Sequence, residues 1–314
     1  MRPDARHWYH RNTSRAADWP VAALQEAKAD TTVSVVLPAL DEEGTVGAVV
    51  GCVRALAEET GLVDEVLVVD SGSSDGTAAA AVAAGARVEQ ARDLLPGLGE
   101  RPGKGEALWK SLAATAGDVL VFLDADLKSV GPHFVTGLLG PLLTDPQVHL
   151  VKGCYERPLA GSTEAAGGRV TELAARPLLN LLFPALAGMV QPLSGEYAGR
   201  RDLLERLPFV PGYGVEMGLL LDTFTVAGLD AIAQVDLGLR RHAHQDHLAL
   251  GRMAAEIMQV LLSRAGGHDE LATVLTQFRR GSSGAFEPIT SDLPVAERPA
   301  MMTVPDYADR ARAS

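Results

Sequence analysis

Asp124-Ala125-Asp126 puts two carboxylates one residue apart at the end of the apolar run 119–123. A buried strand has no structural use for a doubled negative charge at its tip. Hard cations such as Mg2+ or Mn2+ take one or two protein carboxylates and complete their shell with water and phosphate oxygens. Side chains at i and i+2 of an extended segment face the same way. One carboxylate can then hold an ion while the other contacts a ribose hydroxyl or the ion's water, and a metal-bridged diphosphate is the leaving group this suits. Taken alone, Asp-x-Asp is as readily a turn or a helix cap, so the rest of the chain must decide.

Three other motifs invite chemistry and fail on context. GERPGKGEA resembles a phosphate loop, but Leu98 stands where the first glycine belongs and Gly105 where Ser or Thr is needed. GLGERP misses a dinucleotide fingerprint because Pro102 replaces the third glycine. HAHQDH, residues 242–247, matches the paired-metal motif of metallo-β-lactamase-like hydrolases. It arrives after a series of strand-helix units instead of early in a β-rich half, and only His268 remains downstream as a further histidine ligand.

The elements that must position Asp124 and Asp126 follow from the apolar pattern. Residues 1–30 read as an extended arm running into a short helix, VAALQEAKA. VSVVLPAL (33–40, stopped by Pro38), DEVLVVD (64–70), ARVEQ and DVLVFLD (118–124) read as short buried strands. Helical patterns alternate with them: EEGTVGAVVGCVRALAEE, SSDGTAAAAVAAG with Ser and Asp as caps, and GKGEALWKSLAATAG. That alternation predicts an α/β fold with a mostly parallel sheet covered on both faces, whose ligands sit beyond the strands' carboxyl ends. Segments 38–42, 70–74 and 124–126 all fall on that rim. In the second half, VHLVKGCYERPL and DAIAQVDLGLRRH read as strands. GGRVTELAARPLLNLL reads as one long helix, YGVEMGLLLDTFTVAG as another and LALGRMAAEIMQVLLSR as an amphipathic one, while the chain from about Gly281 is expected to be irregular.

With 28 basic against 40 acidic residues in 314, the net charge of -12 offers no patch for nucleic acid and opposes an anionic membrane surface. Cys52 and Cys154 read as reduced thiols. The first twenty residues lack a signal peptide's apolar stretch, and LLNLLFPALAGMV is too short to span a bilayer. A soluble, cytoplasmic protein is expected.

In order, LPALDEE, DSGSSDGT, GKGEAL and the strand ending in DAD resemble nucleotide-sugar glycosyltransferases of GT-A type. RPGKGEALWKSLAAT, GGRVTELAARPLL, QPLSGEYA, PFVPGYGVE and GLDAIAQVDLG narrow the resemblance to the actinobacterial glucosyl-3-phosphoglycerate synthases, over roughly residues 20–280. The resemblance implies a GT-A fold: an arm (1–30), a nucleotide-sugar-binding half (31–130), a helical acceptor-binding half (131–265) and a partly irregular tail (266–314). It implies a homodimer that moves glucose from UDP-glucose to the 2-hydroxyl of 3-phosphoglycerate, with retention and with Mg2+ or Mn2+. Pro38, Ala39, Leu40, Glu42, Ser71 and Lys104 would bind the uridine moiety, together with Asp70 and Ala125. Asp124 would contact ribose or sugar, and Asp126 with His242 would ligate the metal. Gly168, Arg169 and Thr171 would grip the acceptor's phosphate, with His244 nearby. Glu216 would orient the glucose, and Arg240 would stabilise the departing diphosphate.

Departures from the family pattern cluster on the acceptor side. His244 replaces an asparagine, Glu156 stands where arginine is usual, and the loop GSTEAAGG is short; Asp41 replaces an asparagine on the donor side. GDP in place of UDP, mannose in place of glucose, and another phosphorylated acceptor stay open on the sequence. A sugar nucleotidyltransferase and a non-catalytic nucleotide-sugar sensor are the rival classes.

Overall fold

The strands form where the sequence packs short β-branched runs between turn residues. The computed structural model describes residues 1–156, 168–240, 247–266, 271–280, 286–293 and 296–308. The first half runs α1 (Pro3–Asn12), β1 (Thr13–Arg15), α2 (Val21–Lys28), β2 (Val33–Ala39), α3 (Val46–Thr60), β3 (Glu65–Asp70), α4 (Thr77–Ala83), β4 (Arg87–Gln90), α5 (Lys104–Ala114) and β5 (Val119–Phe122). The second adds α6 (His133–Thr144), β6 (Leu150–Glu156), α7 (Arg176–Leu182), β7 (Tyr197–Arg200), α8 (Arg201–Leu204), α9 (Val215–Ala227), β8 (Ile232–Leu239), α10 (His247–Ala265) and the hairpin β9 (Val274–Arg280) and β10 (Phe286–Asp292).

Eight strands form one sheet in the order β1-β8-β6-β7-β5-β2-β3-β4. Only β7 runs against its neighbours β5 and β6; the other pairings are parallel. Alternate residues feed opposite faces: Val35, Val121 and Leu123 pack with Val50 of α3 and Leu138 of α6, whereas Val36 and Phe122 pack with Leu108 of α5. With both faces covered, the free rim at the strands' carboxyl ends is left for ligands.

Several expectations are corrected. The N-terminal arm is a helix and an edge strand, not extended chain. Trp8 of α1 is 1% exposed and its Nε1 donates to the Ile232 carbonyl at 2.9 Å. Burying that ring contributes on the order of 3 kcal/mol, enough to dock a helix too short and polar to form alone. Pro38 does not stop its strand, because β2 pairs with β3 through Ala39. Its ladder with β5 ends at Val36, and the Val36 carbonyl accepts from Leu123 on that side. Pro38 faces the same side, past the end of β5, where its missing N–H costs nothing.

The long helix expected over GGRVTELAARPLLNLL is present, helical without a break over residues 169–182, but it widens into a π-helical segment, Thr171–Ala175, before α7. Pro177 has no N–H for the preceding turn, and the extra residue per turn absorbs the gap. The chain beyond Gly281 is not wholly irregular. Residues 286–292 pair antiparallel with 274–280, and Met301 and Val304 are buried against α5. The strand β7 was not anticipated, since its four residues YAGR carry no apolar run; its register comes from the strands on either side.

Cys52 and Cys154 are both free thiols. Among the described residues no helix is long and apolar enough to cross a membrane.

Candidate active site

Two polar turns at the ends of β2 and β3 are laced together. Asp41 has a left-handed backbone, φ 56°, which Asn and Asp tolerate best among residues other than glycine. Its N–H donates to Ser73 Oγ at 2.9 Å, and its carboxylate accepts from the Ser74 N–H at 2.8 Å. An asparagine oxygen could accept the same bond, so this departure from the family pattern leaves the turn intact. The Glu42 N–H donates to Thr77 Oγ1 at 2.7 Å. Burial pushes the Glu42 carboxyl up, the Thr45 hydroxyl partly offsets this, and Asp126 and Asp124 add to the rise.

Asp70 is a correction. It was expected on the donor, yet it is absent from the cavity wall and 2% exposed. Its oxygens accept from the Gly72 and Ser73 N–H groups, the Ser73 hydroxyl and Gln90 Nε2. Burial opposes its charge, but these bonds hold the carboxyl below its ordinary range. Asp70 shapes the turn that presents Ser71.

Asp124 and Asp126 leave β5 after its last strand residue, so their common direction comes from a turn and not from strand alternation. Arg240 gathers them: Nη2 donates to Asp124 Oδ2 at 2.7 Å and to Asp126 Oδ1 at 3.1 Å. Behind it, Nε lies 3.0 Å from Glu196 Oε1. Glu196 is fully buried, and its other oxygen accepts from Tyr155 Oη at 2.6 Å. Burial pushes Glu196 up and the Arg240 charge works against it. Burial likewise opposes the Arg240 charge, but Glu196, Tyr155, Asp124 and Asp126 outweigh it and raise its pKa.

A second cation, Lys104, opens α5. Its Nζ donates to Asp124 and, at 2.7 Å, to Glu216 Oε1. Burial opposes this charge also, yet Asp124 and Glu216 hold the ammonium well above its ordinary range. The glycines beside Lys104 have a packing reason, not a phosphate-loop one. Gly103 has φ 110°, and an added Cβ would lie 2.6 Å from the Pro211 carbonyl oxygen; at Gly105 it would lie 1.8 Å from that of Val210. Only glycine lets the start of α5 touch the loop that leads to Glu216.

Beneath these groups, Lys152 is 1% exposed and donates to the Ser194 carbonyl at 2.7 Å. Burial pushes it down to about 8. It supports the turn carrying Gly195, where a Cβ would lie 2.4 Å from Asp124 Oδ2 and 2.6 Å from Lys104 Nζ. Gly195→Ala should therefore displace both charged groups and lower kcat/KM about a hundredfold, with little change in melting temperature. The clash is with movable side chains and not with backbone. Wild-type kinetics in that variant would remove Gly195 from the site.

One cavity of about 1120 Å³ joins the pieces. Its wall includes Pro38, Ala39, Leu40, Glu42 and Ser71 on one side, Lys104, Asp124, Ala125, Asp126, Glu216 and Arg240 in the middle, and Gly168, Arg169 and Thr171 on the other. His242 and His244 lie outside the described residues, as does nearly all of the short loop before Gly168. Glu156 is exposed and does not line the cavity; its carbonyl accepts from the Arg240 N–H at 3.0 Å. Glu196, Gly195, Lys152 and Tyr155 were not singled out from the sequence. The clue was a glutamate between small and apolar residues in SGEYAG, where a buried charge needs a partner.

Among the described residues no set of three His, Cys, Asp or Glu side chains gathers around a point. Asp126, 41% exposed on the wall, and Asp124 beside it supply hard carboxylate oxygens. That is the number of carboxylates Mg2+ or Mn2+ takes when substrate phosphates fill its shell, so the donor set fits such an ion.

Comparison with known proteins agrees with this chemistry. The chain matches the Glycosyl transferase family 2 profile over residues 34–167. It is 52% identical to a glucosyl-3-phosphoglycerate synthase of Mycolicibacterium smegmatis, over 95% of this chain and 98% of that one. A crystal structure of the Mycobacterium tuberculosis enzyme with Mn2+, UDP-glucose and phosphoglyceric acid superposes with a TM-score of 0.84 at 49% identity, covering 92% of this chain and 97% of that one. Another of the same enzyme, with Mg2+ and UDP, gives 0.84 at 49% identity over 92% and 98%.

Proposed function

The chain belongs to the glucosyl-3-phosphoglycerate synthase family, and on that premise we propose how its residues share the work. The enzyme is a hexosyltransferase that moves glucose from UDP-glucose to 3-phosphoglycerate with Mg2+ or Mn2+. The observation that carries the assignment is the chain of charges Glu216, Lys104, Asp124, Arg240, Asp126, backed by Glu196, inside one cavity with the donor and acceptor walls.

Asp126, with His242, would hold the metal as the DXD aspartate, and Asp124 would contact ribose or sugar. When bound, the ion neutralises charge that builds on the diphosphate as the sugar leaves. Pro38, Ala39, Leu40, Glu42 and Ser71 form the uridine wall, and Ala125 continues it between the two aspartates. Glu216, fixed by Lys104, accepts from sugar hydroxyls. Arg240 offers a guanidinium pre-oriented by Glu196 to the departing diphosphate, so no reorganisation is needed as charge develops. Gly168, Arg169 and Thr171 receive the acceptor's phosphate, with His244 in the same region. Glu216 is tied to Lys104 and stands as a positioning carboxylate, which favours same-face substitution with retention. The bond from C1 to the phosphate oxygen breaks, a bond to the 2-hydroxyl oxygen forms, and the departing phosphate takes the hydroxyl proton. The sequence expectations of a cytoplasmic enzyme and a homodimer belong to this reading. Its substrates are small charged metabolites, and the exposed Phe278 and Phe286 of the hairpin offer a surface for a second copy.

Incubation with UDP-glucose, Mg2+ and 3-phosphoglycerate tests the reading: UDP release should depend on the acceptor. Release of pyrophosphate from a sugar phosphate and a nucleoside triphosphate would instead indicate nucleotidyl transfer. Arg169→Ala should raise KM for 3-phosphoglycerate about tenfold or more, as for a lost charge-assisted contact, and leave KM for UDP-glucose near wild type. An unchanged acceptor KM would remove Arg169 from the acceptor site.

A further inference from the structure

Arg298 is 4% exposed and lies in a part of the chain that the sequence marked as tail. Its guanidinium forks onto Glu106, Nε to Oε2 at 2.7 Å and Nη2 to Oε1 at 2.6 Å. It also donates to the Leu98 and Gly99 carbonyls at 2.9 and 3.0 Å. Its backbone exchanges two hydrogen bonds with Phe209, at 2.8 and 3.0 Å. One residue therefore ties the loop before α5, α5 itself, and the segment running from Phe209 to Glu216. Lys104 and Glu216, carried by two of those pieces, meet at 2.7 Å. The loop over residues 94–103 has one short 3-10 turn of its own, Pro96–Leu98, so its shape depends on what holds it.

We propose that Arg298 is a positioning residue for the donor pocket. Its fork sets the register of Lys104 against Glu216, and with it the shape of the wall that receives the nucleotide sugar, while Arg298 itself stays off the cavity wall. A planar guanidinium is needed because a point charge cannot serve a carboxylate and two successive carbonyls together. The proposal rests on the transfer reading for its kinetic consequences, though not for its effect on nucleotide binding.

Two variants test it: Arg298→Lys, which keeps the charge and loses the fork, and Arg298→Met, which removes the guanidinium while buried Glu106 keeps Lys110 as its counter-charge at 3.4 Å. Each is measured for melting temperature, for UDP affinity by calorimetry with Mg2+, and for donor and acceptor KM. The expected result is a rise of about tenfold or more in the UDP Kd and in KM for UDP-glucose, with KM for 3-phosphoglycerate within about twofold. Unchanged UDP affinity in a folded variant would overturn the proposal. So would an equal rise in donor and acceptor KM, which is the signature of general damage. If the wild-type protein released no UDP on adding acceptor, the transfer reading would fail, and UDP calorimetry would still decide the role of Arg298.

Discussion

Asp126→Ala lowers kcat for glucose transfer by about a thousandfold or more, while circular dichroism and melting temperature stay close to wild type. The size follows from what the carboxylate supplies: an anionic oxygen donor on the cavity wall, which alanine cannot replace. The retained fold follows from the charges left behind. Arg240 keeps Asp124 at 2.7 Å and Glu196 at 3.0 Å, so no buried charge loses its last partner. Asp126 is also 41% exposed, and its loss opens no core cavity. Steady-state turnover with saturating donor, acceptor and Mg2+ is the measurement. Turnover within tenfold of wild type would remove Asp126 as the metal's anchor.

Arg240→Met lowers kcat about a hundred- to a thousandfold, the loss typical of removing one pre-oriented donor to a developing charge. This variant carries a structural signature that the first lacks. Glu196 stays buried with Tyr155 but without its cation. Burial already pushes the Glu196 carboxyl up against the opposing Arg240 charge, so removing that charge raises it further. A carboxyl whose pKa is raised in the folded state stabilises the fold below its unfolded pKa, and that stability is lost as pH rises through the folded value. The melting temperature of Arg240→Met should therefore fall, relative to wild type, as pH climbs from about 4.5 toward neutrality. Adding Glu196→Gln should remove the pH dependence without restoring kcat. If the double variant regained turnover, Arg240 would be a structural partner of Glu196 and not a stabiliser of the leaving group.

The position of the site was legible because it depends on local signals. Val119 to Phe122 is apolar enough to be a covered strand, so Asp124 and Asp126 had to emerge at a strand's end. The turn residues of LPALDEE and DSGSSDGT marked two neighbouring ends in the same way. Where the fold departed from expectation, the cause lay between segments distant in sequence. Trp8 organises the N-terminal helix only because β8 offers it a carbonyl 224 positions away. Pro38 remains in its strand only because β5 ends early.

The charged residues show the division most clearly. Sequence alone determined that carboxylates and cations gather on the rim, since a charge beside an apolar run must surface where that run ends. It did not determine which of them face the ligand. Asp70 has the same local setting as Asp124, yet its oxygens are engaged by its own turn and by Gln90 of β4. Glu196, Lys152 and Arg298 are buried because partners arrive from 41 to 192 positions away. Apolar periodicity reports what water expels; a charge is expelled only when a distant segment brings the counter-charge or carbonyl that replaces water, and that meeting is decided by the tertiary structure.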